Sequence, residues 1–389
     1  MWFFKSPEFV FGDESLSYLE QLEGKRAFIV TDAVLGQLGH VARVQAVLQA
    51  AGFQVAVFDR VEPDPSLETV RAGAAVMAEF NPDWIVGLGG GSCLDAAKAM
   101  WVLYERPDMT PESISPMEKL NLRRKARFLA IPTTSGTGSE ATWAIVLTSA
   151  AERRKLGLGS RECVPDVAIV DPSFVMSLPP RVTADTGMDA LTHAVEGYTC
   201  LWHNDFSDGL CLKAAQLVFE YLPRAYQDGN DLEARTRLHN AASIAGLGFG
   251  NSMASLAHGL GHALGGVFHV PHGRAVSLCL PYVIEFSVRG EPGATRYGDL
   301  ARFLGLPATT ETEAAASLAA AIRQLQLALD QPRTLEACGI QRENFDQELD
   351  ALVFNASNDG SNTTGTRIPD DAEVRKLFEY AYEGKSIDF

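Results

Sequence analysis

Short apolar runs bounded by glycine- and proline-bearing turns fill the first part of the chain, and longer apolar stripes at helical spacing fill the second. In the first part Arg26–Val30, Gln54–Phe58, Trp84–Val86, Phe128–Ile131 and Val167–Val170 have strand length and strand composition. Glu8–Gly12 and Ile145–Thr148 read as further strands, and Leu35–Ala51, Leu67–Phe80 and Leu94–Tyr104 carry helical spacing. Repeated strand–loop–helix units predict a mostly parallel sheet with helices on both faces. Such a sheet takes its ligand at the carboxyl ends of its strands.

The pattern changes at Pro179-Pro180. Beyond it, helices are predicted over Met188–Glu196, Ser207–Tyr221, Leu232–Gly246, Ser255–Gly265, Arg274–Val288, Ala294–Phe303, Thr309–Leu327 and Ala372–Tyr382. We therefore expect an α/β domain over residues 1–182 and an all-helical domain over 183–389.

Composition excludes several classes. A chain of 389 residues can bury two cores, and 46% apolar with 21% charged residues is ordinary for a globular protein. A net charge of -16 disfavours nucleic acid and anionic membrane as partners. No apolar run reaches membrane-spanning length, and MWFFKSPEF is too soon interrupted for a secretory signal. Cys93, Cys163, Cys200, Cys211, Cys279 and Cys338 form no CxxC and read as thiols of a reducing compartment. A cytoplasmic enzyme is the expectation.

Two loops in the first part carry candidate chemistry. Gly89, Gly90, Gly91 and Ser92 follow a strand and open a helix containing Asp95 and Lys98, and with Asp95 they are the first candidate cofactor contacts. Glycines let a phosphate approach the backbone, and helix N-terminal amides favour its charge. The order is neither GxGxxG nor a P-loop, and a plain tight turn is an equal reading. Thr133, Thr134 and Thr137 stand in a second loop between a strand and an expected helix. Two such loops at one end of a sheet favour a dinucleotide. Lys155, in the basic turn Arg153-Arg-Lys155, can neutralise phosphate or simply be solvated. Asp32 ends a strand, where a carboxylate can bind the adenosine ribose and repel a 2′-phosphate, favouring NAD.

The second part carries a concentration of metal-ligating side chains. Asp189 and His193 are four apart, as are His258 and His262, and four of the eight histidines lie between 258 and 272. Side chains four apart on a helix point the same way. A carboxylate with several imidazoles suits Fe²⁺ or Zn²⁺, and spacing does not choose between them. His262 reads as a fifth ligand, a proton-transfer group or a packed helix residue. Gly265-Gly266 is expected to end its helix, so helical register places neither His269 nor His272. His40, His203 and His239 show no partner pattern.

Gly89–Lys98, Pro132–Glu140, Gly187–Tyr198 and His258–Gly273 together resemble the iron-containing, group III alcohol dehydrogenase family. The resemblance implies a dehydroquinate synthase-like architecture: an N-terminal dinucleotide-binding domain and a C-terminal, mostly helical metal domain, commonly paired as a homodimer. It implies Asp189, His193, His258 and His272 as metal ligands and His262 as the histidine near the nicotinamide. It also implies Asp32 at the adenosine end, Lys155 against the cofactor, and reversible NAD(H)-linked interconversion of an alcohol with an aldehyde or ketone. The chain departs from the family where a Cys-containing stretch is followed by Asn-Pro-Arg; here Asn358–Pro369 reads NDGSNTTGTRIP. That departure leaves substrate identity open. A glycerol, diol or other polyol dehydrogenase is one alternative, and a non-catalytic metal- and nucleotide-binding regulatory protein is another.

Overall fold

The computed structural model describes residues 3–149, 152, 154–291 and 293–389. It divides into two compact units, Met1–Leu178 and Pro179–Phe389.

In the first unit the strands are β1 (Glu8–Phe11), β2 (Arg26–Val30), β3 (Gln54–Phe58), β4 (Trp84–Gly89), β5 (Arg127–Pro132), β6 (Ala144–Ser149), β7 (Arg154–Gly159) and β8 (Val167–Val170). The helices are α1 (Ala33–Gln37), α2 (His40–Ala50), α3 (Leu67–Phe80) and α4 (Gly91–Glu105). Six strands form one parallel sheet in the order β1-β8-β5-β4-β2-β3. Alternation along β2 feeds a core on each face. Phe28 and Val30 pack with Val70, Met77, Met100 and Trp101, whereas Ala27 and Ile29 pack with Leu19, Val44 and Leu48. Burial on both faces explains why these strands read as continuous apolar runs.

Three details differ from the sequence expectation. The helix expected over Leu35–Ala51 is two helices, α1 and α2, separated at Gly39 with φ 79°. The expected strand over Ile145–Thr148 lies outside the main sheet and pairs antiparallel with β7 as a hairpin. Its Ile145 and Leu147 join the core around Met100 and Trp101. Arg153, in the basic turn, lies outside the described residues.

The second unit contains α5 (Pro180–Thr199), α6 (Asp205–Gln227), α7 (Leu232–Gly250), α8 (Leu256–Phe268), α9 (His272–Ser287), α10 (Tyr297–Phe303), α11 (Glu311–Ala328), α12 (Arg342–Ser357) and α13 (Asp371–Glu383). Proline at the first position of α5 lacks the amide that a helix start would leave unused. Buried α5 packs against α6, α7 and α9, and α8 packs against α9 and α12. The expected helix stop at Gly265-Gly266 is wrong. Helix α8 runs through both glycines to Phe268 and ends where His269 turns left-handed at φ 54°. Helix α9 then begins at His272 itself. Helix α12 is a further difference. Its buried Phe345, Leu349, Leu352, Val353 and Ala356 have helical spacing, diluted among Arg, Glu, Asp and Asn.

Candidate metal centre and nucleotide loops

Strands β4 and β5 are hydrogen-bonded neighbours, with Gly89 opposite Pro132, so both glycine-bearing loops leave the same end of the sheet. The loops pack on one another. A Cβ on Gly91 would lie 2.8 Å from Thr137 Cγ2, and one on Gly90 would lie 3.3 Å from Thr134 Cγ2. Gly90 caps α4 without any side-chain hydrogen bond, which leaves the first-turn amides open to an anion. Thr134 and Thr137 are partly exposed beside them, while Thr133 is buried. Ser92 Oγ accepts from the Asp64 amide (3.3 Å), and Lys155 Nζ donates to Asp64 Oδ1 (2.6 Å), which brings Lys155 to the same mouth. The second loop leads into a short 3-10 turn, Ser139–Ala141, and then β6, not the expected helix.

Asp32 lies just past the end of β2 and caps α1, its Oδ1 accepting from the Leu35 amide at 2.9 Å. Its Oδ2 accepts from the Cys93 thiol at 3.4 Å, which ties it to the first turn of α4. Asp95, read from sequence as a cofactor contact, occupies a different place. It is buried, with one oxygen accepting from Ser139 Oγ (2.6 Å) and the other from the Val146 amide (2.8 Å). Lys98 Nζ donates to the carbonyls of Ser139 (2.7 Å), Thr142 (2.9 Å) and Ala144 (3.1 Å). Burial raises the Asp95 carboxyl against the opposing pull of Lys98, and burial lowers the Lys98 ammonium. The pair anchors the segment after the second loop from beneath, so Asp95 positions the loop instead of facing a ligand.

In the second unit, α5 carries Asp189 and His193, α8 carries His258 and His262, and α9 opens with His272. Asp189 Oδ1 lies 3.5 Å from His272 Nε2, 3.8 Å from His258 Nε2 and 3.8 Å from His193 Nδ1. Donors about 2.1 Å from one tetrahedral ion would stand roughly 3.4 Å apart. Donor atoms of Asp189, His258 and His272 all fall within 4.8 Å of one another. His193 does not converge with these three. Its ring stacks on Phe249 (centroids 3.9 Å apart) and also lies against His258 (4.5 Å). Gly273 permits the approach of α9 to α5, because a Cβ there would meet the Asp185 carbonyl oxygen at 2.1 Å.

Behind the cluster sits a carboxylate that sequence reasoning did not single out. Glu196 is buried and accepts from the Ser255 amide (2.9 Å), Ser255 Oγ (2.9 Å), the Ala257 amide (2.6 Å) and His258 Nδ1 (2.5 Å). Burial would raise its carboxyl, yet His258 and these donors hold it below the usual range. With Nδ1 committed, His258 presents Nε2, a buried atom with no hydrogen-bond partner among the described residues. An imidazole whose far nitrogen is tied to a carboxylate and whose near nitrogen lacks a partner fits a metal ligand. Glu196 lies seven residues after Asp189 on α5, so helical spacing was the signal that could have found it.

His262 stands beside the cluster, its ring 5.3 Å from that of His272 and 5.9 Å from that of His258. Its Nδ1 bonds Asp359 Oδ2 at 2.8 Å, so the segment that departs from the family pattern reaches the site. His269 serves as the left-handed cap of α8. His40 packs against Phe174, and His203 lies 3.3 Å from Asp208.

A family model described as iron-containing alcohol dehydrogenase matches residues 6–172, and one for the C-terminal part of the Fe-containing alcohol dehydrogenase family matches 183–382. The NADPH-dependent butanol dehydrogenase of Clostridium saccharobutylicum is 40% identical over 381 residues, covering 97% of each chain. The crystal structure of a 1,3-propanediol oxidoreductase aligns with TM-score 0.90 at 31% identity, covering 98% of this chain and 100% of the other. A sulfoacetaldehyde reductase from Bifidobacterium kashiwanohense, solved with NAD⁺, aligns with TM-score 0.85 at 27% identity over 98% of each chain.

Proposed function

The chain belongs to the iron-containing alcohol dehydrogenase family and is an alcohol dehydrogenase, and on that premise we propose how its residues divide the work. Asp189, His258 and His272, with His193 beside them, hold Fe²⁺, or Zn²⁺ as an alternative occupant. Gly89–Ser92, Thr133, Thr134 and Thr137 receive the nucleotide phosphates, with Lys155 at their edge. Asp32 meets the adenosine ribose. Bound there, the ion supplies a Lewis acid toward the substrate oxygen and the nucleotide supplies the hydride acceptor or donor. The chain's own part is to fix the donors before substrate arrives, to hold both loops open to phosphate, and to keep the cluster largely dry. Of the proposed ligands only His272 is appreciably exposed, at 27% of its side chain.

The observation that carries this reading is Asp189 Oδ1 lying within 3.8 Å of three imidazole nitrogens. NAD is the proposed nucleotide because the Asp32 carboxylate repels a 2′-phosphate. The Clostridium relative, by its name, uses NADPH. Likeness to a 1,3-propanediol oxidoreductase keeps a diol beside the simple alcohols as substrate class. We further propose a homodimer in the cytoplasm. No helix of the described residues is long and apolar enough to cross a membrane.

The test is an anaerobic activity screen of protein loaded with Fe²⁺ or Zn²⁺, crossing NAD and NADP with short alcohols, diols and aldehydes. Nicotinamide absorbance should change with NAD and an alcohol or diol. Metal and nucleotide binding without turnover on any substrate would instead mark a regulatory protein. Asp32→Gly should relax the preference toward NADP, and an unchanged preference would remove Asp32 from the ribose site.

A further inference from the structure

A carboxylate of the chain itself, Asp64, stands at the mouth of the two glycine-bearing loops. Residues 59–66 leave the carboxyl end of β3 and lead into α3. Within them the Val61 amide donates to the Thr31 carbonyl, beside Asp32, at 3.2 Å. At the far end the Pro65 carbonyl accepts from the Thr148 amide on β6 at 2.8 Å, and Ser66 caps α3. Thr148 stands opposite Lys155 in the β6–β7 hairpin, so seating the connection on Thr148 brings Asp64 to Lys155. The Asp64 amide donates to Ser92 Oγ at 3.3 Å, in the first turn of α4.

Asp64 lies between Pro63 and Pro65 at φ 57°, a left-handed backbone that aspartate keeps only where its surroundings impose it. Lys155 Nζ donates to its Oδ1 at 2.6 Å. The two ends of this ion pair are unequal, because the Lys155 side chain is 5% exposed and the Asp64 side chain 48%. Asp95, beneath the second loop, also lies in the field of the Lys155 ammonium. The first-turn amides of α4, which no side chain caps, open beside the pair. Seating a diphosphate on those amides would put two anions on one ammonium. Of the two ends of the pair, the exposed carboxylate is the one with room to turn into water.

We propose that Asp64 is an internal competitor of the nucleotide: its carboxylate contends with the diphosphate for Lys155, which weakens cofactor binding and speeds cofactor release. This rests on the nucleotide reading of Gly89–Ser92 and Lys155, and it deepens that reading by a residue that works against the cofactor. Asp64 acts through Lys155 and takes no part in the chemistry. Its ion pair sets how long a nucleotide stays.

The experiment measures binding of NADH, ADP and adenosine by calorimetry to metal-loaded wild type, Asp64→Asn, Lys155→Met and the double variant, with NADH release followed by stopped flow. Asparagine tolerates a left-handed backbone as aspartate does and keeps the main-chain bond to Ser92, so the loop is expected to fold unchanged. Asp64→Asn should bind NADH and ADP about fivefold more tightly, the worth of one partly exposed ion pair that need not be broken, and release NADH slower by the same factor. Adenosine, which lacks the diphosphate, should bind wild type and Asp64→Asn alike. Lys155→Met should bind NADH more weakly than wild type. On that background Asp64→Asn should add less than about twofold, because the freed carboxylate turns to water and its remaining repulsion is screened. Unchanged or weaker NADH binding in Asp64→Asn, the same gain for adenosine, undiminished binding in Lys155→Met, or an equal gain on the Lys155→Met background would each overturn the competition. Wild type that binds neither NADH nor ADP would overturn the nucleotide reading itself, an outcome separable from the others.

Discussion

Replacing Glu196 by Gln keeps the side chain's shape and removes only a charge and one acceptor. Glu196 Oε1 accepts from Ser255 Oγ and the Ala257 amide, and Oε2 accepts from the Ser255 amide and His258 Nδ1. An amide nitrogen at the Oε1 position faces an N–H, and at the Oε2 position it faces both the Ser255 N–H and the imidazole. The imidazole can relieve this only by moving its hydrogen to Nε2, the nitrogen required for the ion. Loss of about two hydrogen bonds to a buried charge, at roughly 1.5–3 kcal/mol each, gives a destabilisation of about 3–6 kcal/mol. Metal affinity should fall about 10- to 100-fold, as it does when a carboxylate behind a ligating histidine is lost. The assay is anaerobic Fe²⁺ and Zn²⁺ titration against a competing chelator, with thermal unfolding of the metal-free protein alongside. A folded Glu196→Gln protein that binds either ion as tightly as wild type would refute the reasoning.

Further predictions concern the same framework. Gly273→Ala places a Cβ against the Asp185 backbone oxygen, at 2.1 Å in the present geometry, where no side chain can yield. Helix α9 must shift, so we expect a loss of about 1–3 kcal/mol and weaker metal binding, checked by calorimetry and chelator competition. Lys98→Met leaves the carbonyls of Ser139, Thr142 and Ala144 without their donor and Asp95 without its counter-charge, for about 3–5 kcal/mol. NAD affinity should fall with it, whereas metal binding, which belongs to the other unit, should not. In the metal-free protein Glu196 and Asp359 are both held below their unfolded values. Their contribution to stability is full above the unfolded carboxylate range near pH 4 and is lost as pH falls through the lower folded values. Acid unfolding of Asp359→Asn should show a shallower pH dependence there than wild type.

Most of the architecture was legible because strand and helix periods differ and the parallel strands bury both faces. Where it was not, competing signals explain the difference. Gly265-Gly266 reads as a helix stop, but α8 is packed against α9 and α12, and that packing outweighs the glycine penalty. Ile145–Thr148 has strand composition, yet composition says nothing of partner, and β6 pairs with β7 outside the main sheet. At the site, Asp189 and the histidines were visible from spacing and family pattern. Convergence of Asp189 with His258 and His272 required the crossing of three helices. Glu196 and Asp359 were hidden because a lone acidic residue has no pattern of its own. Asp359 is 97 residues from His262, and only the folded chain makes them neighbours. Asp95 misled for the opposite reason, since its place beside a glycine loop resembles a ligand contact while its carboxylate points into the protein's own backbone.

Alcohol oxidation by this chain requires that Asp189 and the histidines around it hold one divalent ion. The direct measurement is metal stoichiometry by elemental analysis after anaerobic Fe²⁺ loading and desalting, on wild type, Asp189→Ala and His272→Ala. Wild type should retain about one ion per chain, and both variants should retain almost none and lose alcohol oxidation together. Full occupancy with unchanged turnover in both variants would contradict it.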